Sequence, residues 1–332
     1  MGSALSYSRN RRRLIGAAVS GIVIGGLPGW VGAQGLSKRT IRFIVAQTAG
    51  TTPDVIARML APKLQERWDQ PFIVENKGGA SGAIGMEAVA KAPPDGHTMN
   101  VNVATTLTLP YFYRNLPFDV LKSFQPIIFV GSNNFALAVH SSIPVNNLKE
   151  FIAYAKARPG ELHYGSPGNG THHHLCGELL KLSAGLDLVH VPYKASAGAT
   201  NDLLGGQVKV MFLPIHQALS FQNGGRVKVL GGTRRERHPL FPDLPSLHEL
   251  GVEGFDVDPW YGVWGPAGLP AEIVSKYNTA LREILSQPDM REALARQGLV
   301  TRPGSPEDLM ETAVREHALW GRVVREAKIT PD

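Results

Sequence analysis

The chain has 332 residues, enough for one large or two medium domains, and its 43% hydrophobic and 19% charged composition excludes wholesale disorder. One cysteine, Cys176, excludes an internal disulfide and a Cys-rich metal knuckle. The formal charge is +6, but Arg9, Arg11, Arg12 and Arg13 supply four of the 34 positive residues, while all 28 acidic residues lie after residue 33. Without residues 1–33 the balance falls to +2, which is no footprint for a nucleic-acid binder.

Residues 1–33 read as an export signal. The basic cluster at 9–13 precedes a Gly- and Ala-rich, uncharged stretch at 14–30, and Val31-Gly32-Ala33 offers small residues before a cleavage site, making Gln34 the first mature residue. Arg11-Arg12-Arg13-Leu14-Ile15 resembles a twin-arginine signal, with the general export route as the alternative. A retained amino-terminal membrane anchor is the other reading of this segment. No later run approaches the ~18 apolar residues that a spanning helix needs.

Residues 40–46 read as a buried strand that runs into the polar turn 47–53, and residues 54–67 follow with helical periodicity. A short strand at 71–75, the Gly-rich bend 78–82, a helix through Met86, Val89 and Ala90, and a strand at 98–103 continue the pattern. Apolar strands are expected at 125–130 and 135–139, separated by Gly131-Ser132-Asn133-Asn134. A helix at 148–157, a strand at 162–164, a Gly-rich turn at 165–170 and a helix at 171–182 come next. They are followed by a strand at 188–191, a helix at 199–204, and strands at 208–212 and 227–230. An apolar strand at 260–264 and helices at 271–285, 288–297 and 306–326 finish the chain. Strands alternating with helices define an α/β protein with sheets covered by helices. Two units and a helical return suggest two lobes joined by crossing strands; one continuous doubly wound domain is the alternative.

Three Gly/Ser/Thr/Asn turns stand between a strand and a helix, at 48–53, 165–171 and 195–198. Such helix starts expose unpaired N–H groups and the positive end of the dipole, which suit a carboxylate or phosphate. The Gly-rich segment 78–85 lacks the Gly-x-Gly-x-x-Gly spacing, no Gly-Lys-Ser/Thr phosphate loop occurs, and Gly165-Ser166-Pro167-Gly168 is not a hydrolase elbow. Successive helical side chains point about 100° apart, so His172, His173 and His174 cannot converge on one metal ion. Thr171 is expected to cap the helix, and Cys176 to fill core space. Trp264 reads as core, whereas Trp260 is open between core packing and ligand stacking. Asp256 and Asp258 are expected in solvated turns.

The ordered motifs identify a resemblance across the mature chain. Gly50-Thr51-Thr52-Pro53-Asp54, Val74-Glu75-Asn76-Lys77-Gly78-Gly79, Tyr164-Gly165-Ser166-Pro167-Gly168-Asn169-Gly170-Thr171, His190-Val191-Pro192-Tyr193-Lys194 and Asp202-Leu203-Leu204-Gly205-Gly206-Gln207-Val208 resemble the exported solute receptors of tripartite tricarboxylate transporters, also called Bug receptors. The resemblance implies a two-lobed, type II-like periplasmic binding protein, each lobe a mixed sheet flanked by helices, with lobe 1 at 34–134 and 253–332 and lobe 2 at 135–252. It implies a monomeric receptor that captures a small carboxylate by hinge closure and delivers it to a membrane permease, with no catalysis, cofactor, metal or nucleic acid. An exported hydrolase or transferase acting on a carboxylate-containing substrate is the alternative. The ligand residues it implies are Thr48, Ala49, Gly50, Thr51, Thr52 and Asp54 from the first lobe. From the second come Ser166, Asn169, Thr171, Ser196, Ala197 and Asp202; the residues themselves add His172 at the start of the 171–182 helix and Trp260 near the crossing. Two departures stand out. The family's Pro-Gly-Gly loop is Thr48-Ala49-Gly50-Thr51 here, and Leu213 replaces an aspartate common in relatives. The second change removes an acidic partner for a ligand amino group and favours a dicarboxylate or an aromatic carboxylate.

Overall fold

Ile41, Phe43, Ile44 and Val45 are fully buried, so β1 (Ile41–Val45) is a central strand, covered on both faces as a parallel-sheet strand must be. The computed structural model describes residues 37–329; the export signal expected at 1–33 lies outside them. From β1 the chain continues through α1 (Thr52–Trp68), β2 (Phe72–Asn76), α2 (Ala83–Ala90), β3 (Thr98–Val103), a short α3 (Leu109–Phe112) and β4 (Phe124–Asn133). Next are β5 (Phe135–His140), α4 (Leu148–Lys156), β6 (Leu162–Ser166), α5 (His172–Ala184), β7 (Leu188–Pro192) and α6 (Ser196–Leu204). Then come β8 (Val210–Pro214), α7 (Ile215–Asn223), β9 (Val227–Gly232) and β10 (Trp260–Pro266). The chain ends with α8 (Ala271–Ser286), α9 (Pro288–Ala295), β11 (Leu299–Thr301) and α10 (Pro306–Glu326).

The strands form two sheets, which excludes one continuous doubly wound domain. The first has the order β11-β4-β10-β3-β1-β2, with β1 parallel to β2 and β3, and β10 antiparallel to β3 and β4. The second has the order β7-β6-β8-β5-β9, with β6 parallel to β7 and β8, and β5 antiparallel to β8 and β9. Each is a mixed sheet flanked by helices, the two-lobed type II periplasmic binding-protein architecture.

The lobes are joined by crossings that bond to one another. Asn134 alone separates β4 from β5, and its Oδ1 accepts from the N–H and hydroxyl of Thr233 and from the N–H of Arg234. The returning segment 256–259 is held by Val257 N–H to Thr233 O and by Asn133 N–H to Pro259 O (2.7 Å). α10 ties the lobes again behind this hinge. Its start places Leu309 and Ala313 in the first sheet's core, while Trp320, Val323 and Val324 enter the second's. A capping box between Ser305 and Asp308, with Pro306 in the first turn, sets where α10 begins.

Four details differ from the sequence reading. The polar Gly131-Ser132-Asn133 is not a turn but the end of β4, where Gly131 admits the backbone of β11, whose three residues are too few for a periodic signal. α7 was not expected, because only Ile215 and Ala218 of its nine residues are buried. α6 starts three residues earlier than the expected 199, the turn residues Ser196, Ala197 and Gly198 forming its first turn. Asp258 is not in a solvated turn, since its Oδ1 is inaccessible.

Gly85 sets the approach of α2 to β1. A Cβ there would lie 2.7 Å from both Ala46 Cα and Lys77 O, and backbone cannot yield as a flexible side-chain tip can. Gly85→Ala is therefore expected to cost about 1–3 kcal/mol of overpacking strain, read as a lower urea midpoint with unchanged m-value. A midpoint equal to wild type would show that α2 is free to move away.

Candidate functional site

The turns at the strand ends of both lobes face one cavity of about 350 Å³. In the first lobe, β1 delivers the loop Gln47–Thr51 to the start of α1. Asp54, 3% exposed, organises that loop from beneath: its carboxylate accepts from Gly50 N–H (2.8 Å), Asn76 Nδ2 (2.9 Å) and Arg58 Nε (3.1 Å). Burial alone would raise its pKa, but these hydrogen bonds and the Arg58 charge hold it below the usual carboxylate range. The Thr51 hydroxyl donates to Thr48 O (2.7 Å), so the N-cap side chain does not cap α1. The N–H groups of Thr52 and Asp54 therefore keep no intrahelical partner.

Beside this loop, Gly79, Ala80, Ser81 and Gly82 all have positive φ (119°, 46°, 52° and 101°). Two non-glycine residues in the left-handed region store strain, a state that persists where the surroundings over-determine it. Here Ser81 Oγ reaches across to Asn169 O (3.3 Å) in the other lobe and accepts from the Tyr113 hydroxyl (3.2 Å).

In the second lobe, Thr171 caps α5, accepting from His174 N–H (3.4 Å) while its hydroxyl donates to Gly168 O (2.8 Å). His174 Nδ1 accepts from Gly170 N–H (3.1 Å) and its ring stacks on His190 at 4.0 Å. Burial pushes His174 down to about 4 and His190 to about 3, so two neutral imidazoles brace the turn from behind. His172 Nδ1 meets Thr105 Oγ1 (2.9 Å) of the first lobe, a contact that bridges the cleft. His173 lines the cavity, with its pKa pushed down to about 3 by burial, and leaves Nδ1 unpartnered. Between β7 and α6, Tyr193 is anchored by its hydroxyl to Asp202 Oδ2 (2.6 Å) and by its N–H to Ser166 O (2.8 Å), which fixes the backbone that presents Lys194 and Ser196.

Of the residues expected to bind ligand, Thr48, Gly50, Thr51, Thr52, Thr171, His172 and Ser196 line the cavity. Ala49, Asp54, Ser166, Asn169, Ala197, Asp202 and Trp260 are not among its lining residues. Asp54 and Asp202 instead hold loops. Ser166 is fully buried against His190 Nε2 (2.7 Å) and Gly168, and Asn169 offers its carbonyl to Ser81. Trp260 is core: it is 1% exposed and packs between Phe129 and Trp264, because alternate residues of β10 face opposite sides and Tyr261 takes the cleft side. Burial pushes the Tyr261 hydroxyl up to about 12, with Thr52 and Asn133 opposing the rise. Sequence reasoning missed Gln47, the loop Gly78–Gly82, Lys194, Met211, His216 and Gln217, which also line the cavity. The Gly-rich motif could have pointed to the second of these; His216 sits on the unexpected α7.

Among the described residues, the lining contains no aspartate or glutamate and one lysine. Among the described residues, no group of three or more His, Cys, Asp or Glu side chains is placed to hold a metal ion, and no helix is long and apolar enough to cross a membrane.

Two lobes closing on a cleft lined by helix starts define a solute-binding receptor. Residues 56–329 match the tripartite tricarboxylate transporter family receptor, and the chain belongs to that family. Its members are periplasmic solute-binding proteins, not enzymes, and act with a membrane transporter. Among similar solved structures is R. palustris Rpa4515 with adipate, 33% identical, covering 89% of this chain and 99% of that one, with a TM-score of 0.82. The periplasmic binding protein BugD is 33% identical over 89% of this chain and 100% of its own, with a TM-score of 0.79. MatC (Rpa3494) from Rhodopseudomonas palustris, with bound malate, is 30% identical over 86% of this chain and 99% of its own, with a TM-score of 0.78.

Proposed function

We propose that this receptor captures a small carboxylate lacking an amino group and hands it to its membrane permease after the lobes close on it. The observation that carries this reading is the charge balance of the cleft wall: helix starts, hydroxyls and Lys194, with no acidic side chain among the described lining residues. A carboxylate is welcome there, whereas the ammonium of an amino acid would be desolvated without a partner. Leu213, in the wall, supports the same exclusion. The relatives whose names carry adipate and malate were solved with dicarboxylates. In this reading lobe 1 (34–134 and 253–332) and lobe 2 (135–252) rotate about Asn134 and the 256–259 crossing. Thr48 to Thr52 meet one carboxylate, while Thr171, His172 and Ser196 close from the other side. The mature protein begins at Gln34 after export and cleavage behind Ala33, and works as a monomer.

The test is a thermal-shift titration of the refolded, ligand-stripped mature chain with adipate, succinate, citrate, benzoate, phthalate and glutamate. A ligand at ~100 times its Kd stabilises the native state by about 2.7 kcal/mol, a rise of several degrees for a chain of this size. A dose-dependent rise with one of the amino-free acids, and none with glutamate, is expected. Flat melting curves across all six acids, or a rise with glutamate alone, contradict the reading.

A further inference from the structure

We propose that residues 104–113 form a strap that weights the lobes toward closure, with Thr108 and Phe112 as positioning residues that hold the cavity-facing turn before α5. This rests on the reading that the lobes close on a solute, and goes beyond it by naming contacts that set how readily they close.

The strap leaves β3 as a 3-10 helix at Ala104–Thr108 and continues into α3. By chain position it belongs to the first lobe. Asn102 Nδ2 of β3 donates to Thr106 Oγ1 (2.6 Å), and Leu107 and Leu109 are buried in the first sheet's core. Three residues further on, Phe112 is 2% exposed in the core of the second sheet, in one cluster with Tyr164, Leu175 and Trp320. A single short segment is thus rooted in both cores.

Its contacts on the second lobe converge on the turn Asn169-Gly170 and the start of α5. Gly170 has φ 77°, and the Phe112 ring stands where a side chain would be, with Cδ2 2.6 Å from an added Cβ. Phe112 also meets the His174 ring edge-on at 5.9 Å. Thr108 is 1% exposed and its Oγ1 lies 2.8 Å from Gly170 O, while Thr105 Oγ1 lies 2.9 Å from His172 Nδ1. The Tyr113 hydroxyl reaches the same turn through Ser81, which donates to Asn169 O. On its other side, Leu107 O accepts from His317 Nδ1 (2.8 Å) and Tyr111 stacks on that ring at 4.9 Å, so the strap is also fixed to α10.

Opening the lobes must either pull the α5 turn off Phe112 and Thr108 or drag the strap along and lift Leu107 and Leu109 out of the first core. The first bares an aromatic ring and a buried carbonyl; the second bares two leucines. Either cost falls on the open state alone, so the strap raises the closed fraction. A solute whose tight contacts form only between closed lobes gains in proportion to that fraction. Neither Thr108 nor Phe112 lines the cavity, so their effect is the same whichever carboxylate binds.

The experiment reads lobe separation by pulsed electron paramagnetic resonance between nitroxides on Ile84→Cys and Asn201→Cys, exposed positions of α2 and α6; Cys176 is buried and stays unlabelled. The mature chain is compared with Thr108→Val, Thr108→Ser and Phe112→Leu, and each is titrated calorimetrically with adipate and succinate. Thr108→Val and Phe112→Leu are expected to lengthen the ligand-free distances and to weaken both acids by one common factor of about 5. Saturating adipate returns both variants to the wild-type distance, and Thr108→Ser, which keeps the hydroxyl, matches wild type throughout. A merely structural role would lower the melting temperature and leave the distances in place. Thr108→Val reads the strap even where Phe112→Leu does not fold. Ligand-free distances equal to wild type, or a loss confined to one of the two acids, overturn the strap while leaving the receptor reading intact. Failure of the unaltered chain to bind any carboxylate overturns the receptor reading, and the ligand-free distances still decide the strap.

Discussion

Replacing Asp54 with alanine is expected to destabilise the protein by about 2–3 kcal/mol and to weaken carboxylate binding at least ~10-fold, although Asp54 is not in the cavity wall. Its carboxylate is the shared acceptor for Gly50 N–H, Asn76 Nδ2 and Arg58 Nε, and truncation leaves the first two donors without their partner under the loop. Gly50 then loses the contact that fixes its left-handed conformation (φ 81°), and the loop no longer holds its open N–H groups toward the cavity. The effect carries a pH signature. Asp54 titrates below its unfolded value, so its stabilisation is full above about pH 4 and is lost as pH falls through the depressed native pKa. The gap in urea midpoint between wild type and Asp54→Ala should narrow as the solution is acidified below pH 4. A constant gap would show that the carboxylate charge contributes nothing.

Asp258 has the opposite sign. Burial pushes it up to about 6, with Glu316 and Asp256 adding to the rise, and Arg234 and Ser132 opposing it. The folded protein therefore takes up a proton here between about pH 4 and 6. The favourable contribution is full below about pH 4, fades as pH rises through 6, and becomes a fixed penalty above it. Asp258→Asn keeps the shape and removes the charge. With Arg234 3.6 Å away and both side chains partly solvated, the gain is discounted to about 1–2 kcal/mol at pH 8, and it should vanish near pH 4. Urea unfolding at the two pH values checks this, and an equal change at both would place the effect in packing and not in charge. The adjoining Pro259 faces the cleft and its carbonyl bonds Asn133, so the charge sits in the hinge itself.

The parts of this molecule legible in the sequence are those governed by local rules. Apolar runs such as residues 41–45 could be placed as strands from composition alone, and α10 was bounded correctly because Ser305, Pro306 and Asp308 write its start in chemistry that acts over three residues. The helix-start turns of α1, α5 and α6 were found for the same reason. What the sequence concealed depends on partners distant in the chain. Gly131-Ser132-Asn133 has the composition of a turn and became strand because β10 and β11 flank it. Asp54 carries a cleft-loop motif, yet Asn76 and Arg58 draw it beneath the loop, and only the register of β1 against β2 places Asn76 there. Trp260 and Tyr261 are neighbours with equal claims by type; the pleat of β10 sends one to the core and the other to the cavity.

The central claim, that a carboxylate seats against the β1–α1 loop between the lobes, is tested most directly by titrating adipate into ¹⁵N-Gly/Thr-labelled mature protein and following the amide resonances. Gly50, Thr51, Thr52, Gly79 and Gly82 should shift saturably with a single dissociation constant, while Gly185 and Gly224, at helix ends away from the cavity, stay in place. Saturable shifts confined to residues outside the cleft, or none with adipate or any other carboxylate of the panel, would contradict it.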